Sequence, residues 1–360
     1  MKKHIAKIVF LIAVLIVPNL STAATKAWLI GSKTAIKLDV TGNAIDKQQS
    51  VDIADGRFNF DQRTGNLFVF QTVGRLDTAI NVYDVKTLQQ KTQLAIIDNS
   101  VEREAQLLIP NSGNLFYLRW VKRKKTEPEI VAYDAATLKS LNTYTTNPPT
   151  SKQLMLSKAG DRLYSLVFGG GVLKFDAFQT SNFAFKSTID VKSFFTLGSE
   201  GGITEFNDEK ALISEVITRT PQLEHFLYIY DLSANTIASK IRTTIIGSDY
   251  LIPITNKIAL HEEQYAGKFK SMRLETDYQS TGNIHFFDAV SGKKVVTVKV
   301  NVAQNGKFVG VSPTEDKMYF LSYGSDFSNP MLHIIDLKTY FVIKTLPMPE
   351  ASMSVVFYEE

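Results

Sequence analysis

Short apolar runs on either side of an Asp-x-x-Thr turn recur along the whole chain. The segment INVYDVKTLQQKTQL, from Ile80 to Leu94, shows the pattern clearly. Aligning on an apolar or aromatic residue followed by Asp gives seven copies, with the aspartates at Asp39, Asp84, Asp134, Asp176, Asp231, Asp288 and Asp336. Their successive spacings are 45, 50, 42, 55, 57 and 48 residues. A period in this range, carried by strand patterns, is typical of the blades of a β-propeller.

Further strand patterns fall in register with the same period. A second apolar strand precedes each Asp segment, as in GNLFVF, GNLFYL and DKMYFL, and a fourth follows it, as in KKVVTVKV. A short inner strand comes before these, seen in RFNF, QLLI, QLML and KFVGV. Runs rich in Val, Ile, Phe and Tyr, separated by Asn-Gly and Ser-Gly turns, predict four-stranded antiparallel blades. We label the four strands a to d from the inside outwards.

The two ends of the chain are incomplete copies that complement each other. The amino-terminal part supplies strands b, c and d as AWLIG, AIKLDV and DKQQSVDI, whereas the carboxyl-terminal segment SMSVVFYEE reads as a lone a strand. Pairing the two would complete a seventh blade and hide the edge strands of an open array. The sequence therefore predicts an all-β fold, in which residues 25–360 form a single seven-bladed β-propeller closed by its carboxyl-terminal strand.

The repeated Asp is interpreted as a structural residue. A carboxylate that ends strand c can accept hydrogen bonds from backbone N–H groups of the c–d turn, with Thr or Ser three residues later completing the turn. Calcium binding would need several carboxylates in one place, and each turn supplies one. The aromatic residue that precedes the Asp, such as Tyr83 or Phe175, is predicted to pack between blades.

Residues 1–24 have the features of a cleaved secretory signal. Lys2, Lys3 and Lys7 precede the apolar run IVFLIAVLIV, which Pro18 ends, and small residues at 21–24 offer a cleavage site. The run is short for a membrane anchor, which is the alternative. No Cys follows it, so we do not expect a lipoprotein. We expect a periplasmic or extracellular protein without a membrane span after cleavage.

Composition narrows the chemistry of the mature chain. Without residues 1–24, the 40 Lys plus Arg become 37 against 36 Asp plus Glu, so global charge does not favour a nucleic-acid partner. Because the chain has no Cys, it can form neither disulfides nor thiolate metal sites, and it has no thiol nucleophile. His261-Glu262-Glu263 begins like a zinc-binding HExxH motif, but Tyr265 stands at the fifth position. His285 and His333 occupy one slot of the repeat, three residues before the Asp. We predict no metal and no cofactor.

The repeat resembles the seven-bladed propellers of the YVTN-repeat and lactonase-like superfamily, which includes the propeller subunits of quinone amine dehydrogenases. The matching segments are LFVFQTVGRLDTAINVYDVKTLQQKTQLAI and MYFLSYGSDFSNPMLHIIDLKTYFVIKTLPM. The letters Tyr-Val-Thr-Asn occur nowhere in the chain. The resemblance implies the fold and two activities, a lactonase-like hydrolase or a dehydrogenase subunit whose quinone another chain would carry.

The d–a and b–c connections of such a propeller share one face, which we predict to bind ligands. The predicted d–a loops contribute charged and polar residues: Arg57, Arg103, Glu104, Lys152, Glu200, Asp249, Tyr250, Lys307 and Glu350. The b–c loops add two basic groups: Lys122, Arg123, Lys124 and Lys125 in the third repeat, and Lys268, Lys270 and Arg273 in the sixth. These groups predict a cationic lip for an anionic ligand or acidic partner; the alternative is a solvated loop whose charges keep the protein in solution.

The regular blades, the unequal loops and the lack of a convergent catalytic cluster favour a non-catalytic binding or scaffold protein. Its partner would be an unknown protein or a small anionic ligand, and we expect a monomer. The rival hypothesis is a hydrolase with polar groups at the channel mouth, for which the candidates are Arg57, Arg103, Glu104, Asp249, Tyr250 and Lys307.

Overall fold

The computed structural model describes most of the chain after residue 24. The described ranges are 25–31, 34–39, 43–53, 56–61, 64–73, 76–95, 101–108, 113–122, 126–145, 151–157, 160–169, 172–191, 199–207, 210–217, 224–245, 247, 249–252, 255–265, 278–302, 304–314, 316–324, 326–350 and 354–359. The predicted signal peptide lies outside them. A search of the described ranges finds no helix with the length and apolar character needed to cross a bilayer.

Within these ranges, the regular structure consists of β-strands grouped into seven four-stranded sheets. Blade 1 contains β1 (Thr25–Ile30), β2 (Thr34–Asp39) and β3 (Ala44–Asp52). Blade 2 contains β4 (Gly56–Asp61), β5 (Asn66–Val73), β6 (Leu76–Asp84) and β7 (Gln90–Ala95). Blade 3 contains β8 (Val101–Leu108), β9 (Asn114–Lys122), β10 (Thr126–Asp134) and β11 (Ser140–Thr145). Blade 4 contains β12 (Ser151–Leu156), β13 (Arg162–Gly169), β14 (Val172–Gln179) and β15 (Ala184–Val191).

The remaining strands continue the same order. Blade 5 contains β16 (Ser199–Asn207), β17 (Lys210–Ile217), β18 (Glu224–Asp231) and β19 (Thr236–Thr243). Blade 6 contains β20 (Asp249–Ile252), β21 (Lys257–Tyr265), β22 (Tyr278–Asp288) and β23 (Lys294–Lys299). Blade 7 contains β24 (Asn305–Val311), β25 (Lys317–Tyr323), β26 (Met331–Asp336) and β27 (Phe341–Pro347), and β28 (Ser354–Glu359) returns to blade 1. The predicted all-β, seven-bladed architecture is confirmed.

Blade 1 is built from both ends of the described chain. Its strand order is β28-β1-β2-β3, and β28 pairs antiparallel with β1, so that Ala27 lies opposite Phe357 and Leu29 opposite Val355. The predicted closure of the propeller is therefore confirmed. The indole N–H of Trp28 also donates a hydrogen bond of 2.7 Å to the carbonyl of Val85, which ties blade 1 to blade 2.

Among the described residues, the buried hydrophobic side chains form seven clusters, each between two neighbouring blades. Side chains alternate along a strand, so Phe226 and Tyr228 pack against blade 4, whereas Leu227 and Ile229 pack against blade 6. The same division holds between blades 7 and 1, where Leu29 of β1 shares a cluster with Tyr319 of β25. Each large side chain that is fully buried here contributes about 1.5–3 kcal/mol to stability. The ring of blades is thus held by one continuous series of interfaces.

The c–d turns share one backbone geometry. A residue with positive φ stands four positions after the end of strand c in every blade: Asn43, Leu88, Leu138, Phe183, Asn235, Gly292 and Tyr340. In blades 2, 3, 5, 6 and 7 the Asp at the end of strand c accepts hydrogen bonds from the turn. In blade 2, for example, Asp84 accepts from the N–H groups of Lys86 and Thr87 at 2.9 and 3.1 Å.

Blade 4 corrects the sequence alignment. Asp176 lies inside β14, three residues before its end, and accepts a hydrogen bond of 2.7 Å from the Thr188 hydroxyl of β15. Gln179 takes the turn position, because Phe183, the residue with positive φ, follows it by four. Only in this register does the β-bulge between Ala177 and Phe178 also match the bulges of blades 2, 3, 5, 6 and 7. Asp176 is therefore not a turn residue, and Phe178 holds the aromatic position before the turn.

Candidate functional site

The antiparallel order of each blade places the b–c and d–a connections on one face, which we call the top face. Of the basic residues predicted there, Lys122 is the last residue of β9. Arg123, Lys124 and Lys125, and likewise Lys268, Lys270 and Arg273, lie outside the described residues. The cationic lip therefore remains a prediction.

The residues assigned to d–a loops lie instead in the inner strands. With the exception of Glu350, all occupy the first four positions of an inner strand: Arg57 in β4, Arg103 and Glu104 in β8, Lys152 in β12, Glu200 in β16, Asp249 and Tyr250 in β20, and Lys307 in β24. Strand pairing begins earlier than predicted, since Arg57 already lies opposite Phe70 and Asp249 opposite Leu260. Glu104 and Lys152 fall within register shifts, where an extra residue interrupts the pairing.

Among these inner-strand residues, Lys307 of blade 7 is the one whose side chain the structure describes. Lys307 lies opposite Leu321 and is half-buried. Burial lowers the pKa of its ammonium group, and the nearby charge of Glu350 opposes that shift. Within the described part of the chain, its Nζ atom makes no hydrogen bond. Lys307 is thus a partly desolvated cation at the top of an inner strand.

Glu350 stands beside Lys307 on the connection that leads into β28. Its Oε1 atom accepts a hydrogen bond of 3.1 Å from the hydroxyl of Thr34, at the top of β2. A β-carbon at Gly31 would overlap the same carboxylate oxygen, so the glycine leaves the space that Glu350 occupies. The hydrogen bond holds the Glu350 carboxylate at blade 1. Because Glu350 also lies near Lys307 of blade 7, the two charged groups stand at the junction of blades 7 and 1.

A second charged group lies on the other side of β24, at the upper end of β21. Burial raises the pKa of the Glu263 carboxyl, which makes no hydrogen bond within the described ranges. Its Oε1 atom lies 3.7 Å from Nδ1 of His261. Burial lowers the pKa of His261 to about 4, so the imidazole is neutral at pH 7 and does not form an ion pair with Glu263. Nε2 of His261 lies 2.6 Å from the Ser280 hydroxyl.

Aromatic side chains complete the surface between these two charges. Burial, and then the charge of Glu263, raise the pKa of Tyr323 at the end of β25. Phe327, in the b–c connection of blade 7, stacks on Tyr323 with ring centroids 5.3 Å apart and is 66% exposed. We call the five residues Glu263, Lys307, Tyr323, Phe327 and Glu350 the blade-7 rim. It combines a cation, two carboxyl groups and an exposed aromatic ring.

Sequence reasoning identified only part of this site. It named Lys307 and Glu350, but it considered Glu263 only within a rejected zinc motif and did not consider Tyr323 or Phe327. The alternation of strand residues was the available signal, since it places Glu263 on the same side of β21 as His261. The described residues contain no group of three or more His, Asp or Glu side chains arranged to hold a metal ion.

Comparison with known proteins gives similarity in structure alone. No protein-family profile matches the chain, and no curated protein sequence matches it. The periplasmic gluconolactonase PpgL of Pseudomonas aeruginosa superposes with a TM-score of 0.59 at 12% identity, over 93% of this chain and 99% of that one. Apo AztD from Citrobacter koseri gives 0.55 at 9% identity, over 93% and 98% of the two chains.

A third similar structure is the dihydro-heme d1 dehydrogenase NirN in complex with DHE. Its TM-score is 0.57 at 11% identity, over 93% of this chain and 75% of that one. Identities this low carry over the fold and not the function. The expected resemblance to lactonase-like propellers is therefore confirmed at the level of the fold, and the chain is a seven-bladed β-propeller.

Proposed function

We propose that this protein is an exported propeller that binds a ligand or partner at the top face through the blade-7 rim, without chemical conversion. The observation that carries the proposal is the pair Lys307 and Glu263. Both groups are partly desolvated, their pKa values are shifted towards the neutral forms, and neither makes a hydrogen bond within the described residues. A partly desolvated charge that makes no hydrogen bond costs free energy, which an opposite group on a ligand would recover.

The chemistry of the rim suggests the class of ligand. Lys307 would accept an anionic group, Glu263 would accept hydrogen bonds from hydroxyl or amine donors, and Phe327 offers an exposed ring for an apolar or sugar face. A small polyhydroxy acid has all three features, and an acidic loop of a partner protein has the first. Export rests on residues 1–24 and would be supported by a mature amino terminus within two residues of Thr25.

The second candidate is hydrolysis of a lactone at the same rim. It is favoured by the raised pKa of Glu263, because a carboxylate with a pKa closer to neutrality is a better general base. The periplasmic gluconolactonase with the same fold makes lactones the reasonable substrates to test. In this reading Glu263 would activate water and Lys307 would stabilise the developing oxyanion.

One experiment separates these candidates. Gluconate binding to the mature chain is measured by calorimetry, and glucono-δ-lactone hydrolysis by proton release, for the native protein and for Lys307→Gln and Glu263→Gln. Binding without turnover, weakened at least tenfold in Lys307→Gln, would support the binding role. Turnover that Glu263→Gln abolishes would support the hydrolase. Lys344→Gln, which changes an exposed lysine of the outer strand β27, is the matched control.

A protein partner is tested with the same variants. Mature protein immobilised through its outer surface would capture a partner from cell-envelope extracts, and the Lys307→Gln protein would not. A further variant neutralises Lys122–Lys125 and the Lys268–Arg273 segment. If all variants capture the same proteins and neither gluconate nor the lactone interacts, the top face is not the binding surface.

A further inference from the structure

A cavity of about 420 Å³ opens between blades 4 and 5 on the face opposite the blade-7 rim. We call this the bottom face; it carries the c–d turns. The cavity lies between the lower halves of β13, β14 and β15 and the turn that begins at Leu232 of blade 5. Its volume is within the range of small-molecule sites. None of the residues that line it belongs to the blade-7 rim, so its function is independent of the one proposed above.

The cavity lies where strand c of blade 4 directs a small side chain towards blade 5. Two residues before the turn, strand c directs a side chain towards the following blade; blade 4 has Ala177 there, whereas blade 5 has Ile229. The equivalent groove between blades 5 and 6, which Ile229 lines, holds about 100 Å³. Blade 3 also has an alanine at this position, Ala132, but the buried Phe183 in the turn of blade 4 packs in the same cluster. At the matching position in the turn of blade 5, Asn235 is exposed, so the space beside Ala177 stays open.

The lining combines charged groups at the opening with apolar walls. Arg162 begins β13 and lies opposite Gln179 in the sheet, so both side chains stand at the same end of the cavity. Lys186 of β15 adds a second cation. The single carboxylate, Asp161, already accepts a hydrogen bond of 2.7 Å from the Ser157 hydroxyl. The opening is therefore positively charged on balance.

The walls favour an apolar group of limited size. Tyr164 and Ala177 are buried in the cluster between blades 4 and 5, Leu232 faces them from blade 5, and Ile189 packs against the same cluster. A ligand that fills the space beside the Ala177 methyl group would gain about 25 cal/mol for each Å² of apolar surface that it buries. Its charged end would meet Arg162, whose planar guanidinium suits a carboxylate.

We propose that this cavity binds a small amphiphilic carboxylate, with the carboxylate at Arg162 and Lys186 and the apolar body against Tyr164, Ile189 and Leu232. The Gln179 amide stands where the six other blades have an Asp at the end of strand c. It both donates and accepts hydrogen bonds, and it removes a negative charge that would repel such a ligand.

The test uses phenylacetate as the probe and calorimetry with the mature chain as the measurement. We expect binding that is at least tenfold weaker in Ala177→Ile, which introduces the residue that blade 5 carries at the same position, and in Arg162→Gln. Lys210→Gln is the matched control, because Lys210 begins the corresponding strand of blade 5, and it should bind the probe like the native protein.

Phenethylamine, which has the same ring and a cationic end, identifies the role of charge and should not bind. Equal binding of the amine would overturn the assignment of a carboxylate. Two results would overturn the site itself. One is phenylacetate binding that is unchanged in both Ala177→Ile and Arg162→Gln. The other is no binding to the native chain at ~10 mM, a concentration at which even a weak millimolar site would be occupied. If Ala177→Ile does not fold, Arg162→Gln and Lys186→Gln decide the outcome, since both side chains lie at the surface.

Discussion

The carboxylate of Asp336 is bound by its own turn. It accepts hydrogen bonds from the N–H groups of Lys338 and Thr339 at 2.9 and 2.7 Å, and from the Thr339 hydroxyl at 2.8 Å. The Thr339 N–H, followed by the Thr339 hydroxyl, lowers the pKa of Asp336 because both favour the ionised carboxylate. Since the turn itself supplies these donors, a repeated Asp at this position needs no ligand to explain it.

Replacing Asp336 should therefore destabilise the fold without affecting binding. We expect Asp336→Ala to lower the free energy of unfolding by about 1 kcal/mol, because it leaves turn N–H groups without their acceptor. Urea denaturation measures the change. Lys338→Ala keeps the backbone donor and removes only an exposed side chain, so it serves as the control and should change stability by a few tenths of a kcal/mol. Equal losses in the two variants would contradict this role for the carboxylate.

His261 is a buried histidine that resists protonation. It has no solvent exposure and packs against Phe320, with ring centroids 4.7 Å apart. Its pKa falls from 6.5 to about 4 in the folded protein because the buried imidazolium would be poorly solvated. Burial also lowers the pKa of His333, whose two ring nitrogens lie 2.8 Å from the Ser322 hydroxyl and 3.1 Å from that of Thr345.

This shift predicts a loss of stability in mild acid. Between pH 6.5 and about pH 4 the unfolded chain binds a proton at His261 that the folded chain does not, so stability falls as the pH falls through this window. From pH 7 to pH 4.5 the loss due to His261 alone should be about 2–3 kcal/mol. Urea titrations of the native protein and His261→Gln at both pH values measure it. The variant should lose less stability on acidification, and identical losses would refute the prediction.

At the level of strands, the regular part of the architecture was accessible from the sequence. Alternating apolar residues and Asp-x-x-Thr turns are local signals, so segments such as NVYDVKT and HIIDLKT locate a strand and its turn without any long-range information. The partnership of β28 with β1 was also predictable, because each end of the chain lacked what the other supplied.

Blade 4 shows where such signals fail. The segment LKFDAFQ contains an apolar residue followed by Asp, but the strand continues for three residues beyond Asp176. Whether a strand stops at an Asp depends on the bulge and on the positive φ of Phe183, and Phe is not a residue that indicates a left-handed turn. An alignment by letters therefore chose the wrong register for this blade.

The candidate sites depend on contacts that the repeat does not encode. Glu263 and Tyr323 come from different blades, and the pKa shifts that mark them arise from the burial of each within the assembled ring. Likewise, the bottom cavity depends on Ala177 facing Leu232, a residue of the next blade. Strand patterns predict that two blades adjoin, but not which side chains leave space between them.

At the scale of the whole molecule, closure depends on strand pairing within blade 1 as well as on packing between blades. Thr25 lies opposite Glu359, so a short Gly-Ser linker can join residue 359 to residue 25 and allow new termini elsewhere. A permutant opened between β12 and β13, starting at Asp161, closes through paired strands of blade 4. One opened between β11 and β12, starting at Thr150, leaves each blade continuous and has no such pairing.

We expect the first permutant to keep a urea midpoint close to that of the linear chain. The second should unfold at a midpoint lower by ~0.5 M urea or more, since only side-chain packing joins its first and last blades. Both permutants carry the same linker and the same composition, so each controls for the other. Equal midpoints would indicate that packing between blades is sufficient to close the ring.

The pairing of β1 with β28 also sets an order of events during synthesis. β1 occupies residues 25–30 and its inner neighbour occupies residues 354–359, so this edge of TKAWLI stays unpaired until almost the whole propeller has been made. At typical rates of translation this interval is roughly 20–60 s. An unpaired apolar edge is a template for aggregation. The nascent chain therefore depends for that period on whatever shields its first strand, such as a chaperone or, for an exported chain, the translocation channel.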